Sequence, residues 1–195
     1  MFVLDVRKEG GKDISLDDYT HILAYHACRA EDEQLFRTQG LKPYTKDEAL
    51  VCAIQKLESD WVSKEEIEAV FDSLWEEIKA NQPARVWLML ETKEFLSSSG
   101  HYLIYGSEFM NALAMHLGCR NRLKEIGIPM IIECAVPIAD ISPCWLRDLE
   151  ESIKNRSTDH YAIAVNRIAA ENVIDIHYPT GFVRDPYSWG LYKLG

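Results

Sequence analysis

The residues best suited to chemistry surround a predicted turn in the middle of the chain. An aromatic and β-branched run, residues 101–105, ends at Gly106, and Ser107 then precedes an apolar pattern of helical spacing. The predicted strand, turn and helix would set Tyr105 and Glu108 beside a helix N-terminus, whose free N–H groups favour an anion or a nucleotide. In a purely structural alternative, Ser107 is a helix cap and Glu108 complements the helix dipole.

Three more polar residues interrupt apolar strands that the sequence predicts. His26 lies on the first strong strand, Arg29 follows it closely, and Glu133 lies within a later apolar run, residues 129–138. A charge in such a run costs free energy unless it is paired or faces a cleft. These residues and Tyr105 either share a cleft or are satisfied structural groups.

The sequence lacks the common signatures of metal sites, nucleophilic hydrolases and phosphate loops. The six histidines include no HExxH and no Cys/His ligand spacing, and no GxSxG, GxxxxGK[ST] or GxGxxG is present. The five cysteines form no CxxC pair, and we interpret them as reduced core thiols. The sequence therefore predicts no metal site.

The composition is that of an acidic globular chain. Its 195 residues carry a net charge of −10, with 47% hydrophobic and 27% charged residues. This charge disfavours a broad nucleic-acid face, which needs clustered Lys and Arg, although residues 120–124 form one short basic cluster. Because we find no signal segment, no membrane-spanning apolar run and no disulfide framework, we expect a cytoplasmic protein without membrane contact.

Hydrophobic periodicity predicts the elements that must position these residues. Besides the strand over residues 101–105, we expect strands over residues 21–28, 85–90, 129–138, 161–165 and 173–177. We expect helices over residues 31–39, 107–118 and 142–153. Two more helices should follow the capping boxes that begin at Thr45 and Ser63. The tail from Pro179 is predicted to be irregular.

The predicted elements indicate an α+β fold with mainly antiparallel strands, because strands and helices do not alternate regularly. We expect residues 1–195 to form a single domain. Within it, residues 46–80 form a helical hairpin whose ten acidic residues and four lysines give it a net charge of −6. Its outer face is either simply solvated or recognises a basic partner.

Four segments occur in an order that is known from one family. The first segment consists of residues 25–29 (YHACR), a short helix and a Gly-Leu turn at 40–41. The next two are residues 101–112 and 129–138, and the last is residues 168–174 (IAAENVI). This order resembles that of small bacterial ADP-ribosyltransferase-fold domains. The resemblance implies split, mainly antiparallel sheets, with the acidic hairpin as an insertion.

The resemblance also implies roles for individual residues in binding NAD. His26 would bind a ribose hydroxyl or orient the dinucleotide, and Arg29 would belong to the same site. The aromatic ring that stacks on nicotinamide would be that of Tyr105 or Tyr102, and Ser107 would lie at the same helix start.

The catalytic carboxylate is where this sequence departs from the family. The family keeps a glutamate near its last strands, which stabilises the positive charge that develops as the nicotinamide bond breaks. Residues 158–162 contain no glutamate. Asp159, Glu133 or Glu108 would take that role, and Glu108 is preferred because it lies beside Tyr105; otherwise the fold is catalytically inactive.

We therefore expect an ADP-ribosyltransferase-like protein that uses NAD as a substrate to modify a macromolecular target, as a toxin or a phage-defence effector. His26, Tyr105 and Glu108 would converge on one nucleotide-sized hollow between two small sheets. One alternative is an inactive relative that binds a protein or nucleic acid. Another is a nuclease or phosphotransferase acting on RNA, in which His26, Arg29 and the basic cluster meet phosphate, as RNA 2′-phosphotransferases share the family's fold.

Overall fold

The computed structural model describes residues 1–79, 84–158 and 160–195. In those ranges the strands are β1 (Val3–Leu4), β2 (His21–Ala30), β3 (Val86–Met89), β4 (Ile128–Pro137), β5 (Ala162–Val165), β6 (Val173–His177), β7 (Gly181–Arg184) and β8 (Leu191–Leu194). The α-helices are α1 (Val6–Glu9), α2 (Gln34–Gln39), α3 (Lys46–Leu57), α4 (Lys64–Lys79), α5 (His101–Tyr105), α6 (Glu108–His116), α7 (Pro143–Leu146) and α8 (Leu149–Lys154).

Six strands form one sheet with β2 and β4 at its centre. The order is β5-β3-β2-β4-β6, and the short β1 also pairs with β2. β2 and β4 are antiparallel along their whole length, from His21 opposite Pro137 to Ala30 opposite Ile128. Within the described ranges β1 is the one parallel neighbour, and β7 and β8 form a separate antiparallel pair. The predicted α+β class with mainly antiparallel strands is confirmed.

Alternation of side chains along β2 supplies a hydrophobic core on each face of the sheet. Leu23, Tyr25 and Ala27 belong to the core that also contains residues of α3 to α6, β7 and β8. We call this side face A. Ile22 and Ala24 belong to the second core, which contains residues of β1, α1, α8 and β5. We call that side face B.

The segment predicted as the central strand is a helix, so that prediction is wrong. Residues 101–105 form α5, in which Leu103 and Ile104 are completely buried in the core of face A. A short run that is apolar on nearly every side carries no periodicity that separates a strand from a helix. Gly106 ends α5 at a φ of 88°, a conformation that glycine adopts easily.

Both predicted capping boxes form and begin the two longest helices in the described ranges. The Glu48 N–H donates to the Thr45 hydroxyl at 3.2 Å, and the Thr45 N–H donates to the Glu48 carboxylate at 2.9 Å. Ser63 and Glu66 repeat this exchange at 3.2 and 2.8 Å. These caps start α3 and α4, and the last residue of the predicted hairpin, Ala80, lies outside the described residues.

The C-terminal tail is ordered as a hairpin, so the prediction of irregular structure is wrong. β7 and β8 pair from Gly181 opposite Leu194 to Arg184 opposite Leu191. Val183 and Leu194 are buried in the core of face A. The strands have four residues each, too few for a clear alternating pattern in the sequence.

The remaining helices are short. The helix expected over residues 142–153 is two short helices, α7 and α8. In the described part of the chain, no helix has the length and apolar character needed to cross a membrane.

Candidate functional site

Tyr105 is buried within a group of polar residues that we call the Tyr105 cluster: Tyr105, Arg120, Lys124, Asp185 and Ser188. The Tyr105 hydroxyl donates to Asp185 Oδ2 at 2.5 Å, and the Ser188 hydroxyl donates to the same oxygen at 2.7 Å. The Arg120 guanidinium and the Lys124 ammonium lie 4.9 and 5.4 Å from the centroid of the Tyr105 ring. Tyr105 is 2% exposed, so a nicotinamide cannot stack on its ring unless the surrounding residues move.

The ionised carboxylate of Asp185 is stabilised within the Tyr105 cluster. Burial alone would raise the pKa of Asp185, but hydrogen bonds from Tyr105, Ser188 and the Tyr187 N–H, together with the Arg120 charge, hold that pKa below its ordinary value. Burial and the bond to Asp185 both raise the pKa of Tyr105. The phenol therefore stays protonated and donates to an ionised carboxylate.

Tyr102 and Glu108 lie side by side next to this cluster. Burial and the nearby Glu108 carboxylate raise the pKa of Tyr102. Glu108 Oε1 is 3.5 Å from His101 Nε2, and the Glu108 side chain is 67% exposed. Ser107 accepts from the Met110 N–H at 3.1 Å and caps α6, as its structural interpretation predicts.

Arg29 donates hydrogen bonds to main-chain carbonyl groups of three other residues. Its guanidinium donates to the carbonyl oxygens of Leu103, Lys124 and Ile126 at 3.3, 2.6 and 2.9 Å. Arg122 is engaged in the same way, with the carbonyls of residues 56 and 58 at 2.8 and 2.9 Å. Two of the cations expected to meet phosphate thus bind carbonyl oxygens instead.

His26 lies on the other side of the sheet from Tyr105 and Glu108. It alternates with Tyr25 along β2, which puts it on face B beside Ala24, whereas Tyr105 is in the core of face A. His26 Nδ1 is 2.9 Å from the Trp87 carbonyl oxygen, and burial lowers the pKa of the imidazole. The expected convergence of His26 with Tyr105 and Glu108 is therefore wrong. The remaining candidate, Asp159, lies outside the described residues.

A different set of polar residues converges on face A. A hollow of about 240 Å³ is lined by residues of five separate segments: Arg7, Tyr25, Thr92, Ile131, Glu133 and His177. We call it the sheet hollow. The register of the sheet produces it, because Tyr25 on β2 is directly opposite Glu133 on β4. His177 on β6 is directly opposite Ile131 on β4.

The Tyr25 hydroxyl in this hollow is buried and has no hydrogen-bond partner among the described residues. Arg7 lies 5.1 Å from the ring centroid without hydrogen-bonding geometry to the hydroxyl, and two bonds of 3.0 and 3.1 Å tie its guanidinium to Asp5. Burial and the charge of Glu133 raise the pKa of Tyr25 to about 12. A protonated, buried and unpaired phenol is costly, and a bound ligand would remove that cost.

Glu133 presents a carboxylate whose position is fixed by its neighbours. His177 donates from Nε2 to Glu133 Oε2 at 2.9 Å, and His177 Nδ1 is 4.0 Å from Asp175 Oδ2. The Glu133 side chain is 20% exposed, and that of His177 is 47% exposed. The hollow thus combines a carboxylate, an imidazole, a phenol and a guanidinium.

Sequence reasoning singled out Glu133 but missed Arg7, Tyr25 and His177. Glu133 was visible because it interrupts an apolar run. A tyrosine counts as apolar in such patterns, so Tyr25 gave no signal. Arg7 and His177 reach the hollow only through the order of the strands, which a single sequence does not specify.

Metal and thiol chemistry find no support in the described residues. No group of three or more His, Cys, Asp or Glu side chains there could hold a metal ion. Burial raises the pKa of Cys28 and of Cys134 to about 12, so both remain protonated thiols.

No protein-family model matches this chain, and comparison with curated proteins gives no match.

Proposed function

We propose that the protein is an ADP-ribosyltransferase-like enzyme that binds NAD at the sheet hollow and transfers ADP-ribose to a macromolecular target. The observation that carries the proposal is the convergence of Glu133, Tyr25, Arg7 and His177, from four segments, on one hollow. The α+β fold with separate antiparallel sheets adds support. Glu133 takes the catalytic role in this proposal, in preference to Glu108.

The proposed reaction breaks the bond between the nicotinamide nitrogen and C1′ of the ribose. The electron pair of that bond leaves with nicotinamide, which departs as a neutral ring. A nucleophile of the target forms a bond to C1′ and releases a proton. Positive charge builds up on the ribose during the exchange, and the Glu133 carboxylate stabilises it. His177 acts as a positioning residue, because it holds one carboxylate oxygen of Glu133.

The other groups of the hollow serve binding. The protonated Tyr25 hydroxyl donates to a ribose or carboxamide oxygen, and Arg7, anchored by Asp5, binds phosphate at the rim. At about 240 Å³ the hollow is smaller than the roughly 300–1,000 Å³ of sites that enclose a drug-sized ligand. The nicotinamide riboside end would enter it, and the adenosine end would lie outside.

The test is NAD turnover with two matched substitutions. Purified protein is incubated with NAD labelled in the adenylate and with cell lysate, and nicotinamide release and labelled products are measured. Glu133→Gln preserves shape but removes the charge, so we expect turnover to fall about 100-fold or more while calorimetric NAD binding remains. Glu108→Gln is the control and should retain turnover. The proposal would be overturned if the wild type neither bound NAD nor turned it over.

A second candidate, a binding module without catalysis, is favoured by one other observation. A concavity of about 350 Å³ on the helical hairpin is lined by Trp61, Val62, Glu66, Ala69, Val70, His116 and Leu117. Trp61 is 92% exposed, and residues 46–80 carry a net charge of −6. A basic protein partner suits this surface. A partner retained in a pull-down, but lost when the hairpin acids are changed to amides, would favour this function.

A further inference from the structure

The β7–β8 hairpin exposes alternating cationic and apolar side chains on its outer face. Cross-strand partners share a face, so the buried Val183 marks the inner side. Phe182 opposite Lys193, and Arg184 opposite Leu191, therefore lie on the outer side, and all four are exposed. Each outward pair combines one cation with one apolar side chain.

Trp189 at the tip of the hairpin extends this surface. We call the set Phe182, Arg184, Trp189, Leu191 and Lys193 the C-terminal ribbon. Phe182, Leu191 and Trp189 are 65, 70 and 73% exposed. Large apolar side chains that are this exposed and this close together mark a binding surface.

We propose that the C-terminal ribbon binds single-stranded nucleic acid. Bases stack on Phe182 and Trp189, and Arg184 and Lys193 contact phosphates. The two outward pairs are two residues apart along each strand, about 6.8 Å at a strand rise of about 3.4 Å. An extended polynucleotide can therefore meet one apolar–cationic pair after the other. The proposal goes beyond the reaction at the sheet hollow and does not depend on it.

Two other occupants, a second copy of the chain and a membrane surface, fit the ribbon less well. A two-fold contact between copies of the chain would bring both copies of Arg184 and Lys193 into one interface, where they repel. A membrane surface offers no flat rings on which Phe182 and Trp189 could stack. The net charge of −10 opposes any polyanion at long range, nucleic acid included, so binding depends on the ribbon and is strongest at low salt.

The ribbon lies close to the sheet hollow along the chain. Gly181, where β7 begins, is four residues after His177, so a fully extended connection spans at most roughly 14 Å. Tyr178 lies within this connection and is exposed. If NAD turnover occurs at the hollow, a strand on the ribbon is an acceptor within reach.

The experiment is fluorescence anisotropy of the full chain with labelled 12-residue oligo-dT and oligo-U, across a range of salt concentrations. The variant Phe182→Ala/Trp189→Ala should bind at least about tenfold more weakly, because it loses two stacking rings. The variant Arg184→Gln/Lys193→Gln should reduce the slope of log affinity against log salt by about 1.4, since each single-strand phosphate contact contributes about 0.7. The preference between the two oligonucleotides shows which of the two is bound more tightly.

Matched controls change the same residue types elsewhere. Phe2→Ala removes an exposed aromatic ring near the start of the chain, and Lys12→Gln/Lys154→Gln removes two exposed cations that pair with Glu9 and Asp13. Both should bind like the wild type. The ribbon residues are exposed, so circular dichroism should show every variant folded. The proposal would be overturned if no binding occurred at low salt, or if the ribbon and control variants lost equal affinity. It would also be overturned if the ribbon were needed for self-association or vesicle binding while nucleic acid did not bind.

Discussion

The Tyr105 cluster and the sheet hollow are built from the same kinds of group and differ in completeness. Each has a buried tyrosine, a carboxylate and a cation near the ring on face A. In the cluster the phenol donates to Asp185, whereas the Tyr25 phenol in the hollow has no partner among the described residues. A polar group that is paired within the chain holds the fold together, whereas an unpaired buried one is a candidate contact for a ligand.

Removing the acid of the cluster should have the largest effect. Asp185→Ala leaves the buried Tyr105 hydroxyl and the Tyr187 N–H without their acceptor, and it removes the carboxylate that acts on Arg120. We expect a loss of about 3 kcal/mol in the free energy of unfolding. Urea unfolding followed by circular dichroism measures it.

The matched control is Asp13→Ala, which removes an exposed carboxylate paired with Lys154 at 3.1 Å. An exposed ion pair contributes about 0.2–1 kcal/mol, so this variant should unfold nearly like the wild type. If Asp185→Ala cost no more than Asp13→Ala, the cluster would not be the closed structural unit described.

Two tyrosine-to-phenylalanine substitutions compare the regions directly. Tyr105→Phe removes a hydrogen bond to an ionised carboxylate and should cost about 2 kcal/mol. Tyr25→Phe removes a hydroxyl without a partner and should leave the free energy of unfolding unchanged or raise it by up to about 1 kcal/mol. Thermal and urea unfolding of both variants test the difference. Equal costs would mean that the hollow is a structural cluster too.

The same comparison has a pH dependence. The folded-state pKa of Asp185 is depressed, so its contribution to stability is fully present above the unfolded-state pKa, about 3.9, and is lost as pH falls through the lower folded value. The stability difference between the wild type and Asp185→Asn should therefore be constant from pH 5 to 7 and shrink below about pH 4. The pKa of Asp5 is also lowered, but that residue is common to both proteins and cancels in the difference. Urea midpoints measured at each pH test this, and a difference that does not change with pH would contradict it.

Much of the fold could be predicted because it depends on local pattern. The capping boxes at Thr45 and Ser63, and the long strands β2 and β4, carry strong signals in their own residues. The helix α5 and the hairpin β7–β8 do not, because each is a short segment whose conformation is set by packing against face A.

The site could be predicted only in part, because it depends on which strands are neighbours. Glu133 was recognised from its apolar surroundings alone. Its partners Tyr25 and His177 are 108 and 44 residues away in sequence, and the order of β2, β4 and β6 brings them together. The placement of His26 failed for a simpler reason: a shift of one residue along a strand reverses the face, and Tyr25 rather than His26 points to face A.

The smallest effect on stability is expected from Glu108, the carboxylate that sequence reasoning preferred as catalyst. Its side chain is 67% exposed, so solvent screens its contact with His101, and Glu108→Gln should change the free energy of unfolding by no more than about 0.5 kcal/mol. Circular dichroism during urea unfolding measures this, and nicotinamide release measures the chemistry in the same sample. If Glu108→Gln abolished turnover while Glu133→Gln retained it, the two regions would exchange roles. The exposed carboxylate beside Tyr102 would then be the catalyst, and the unpaired hydroxyl of Tyr25 would need another explanation.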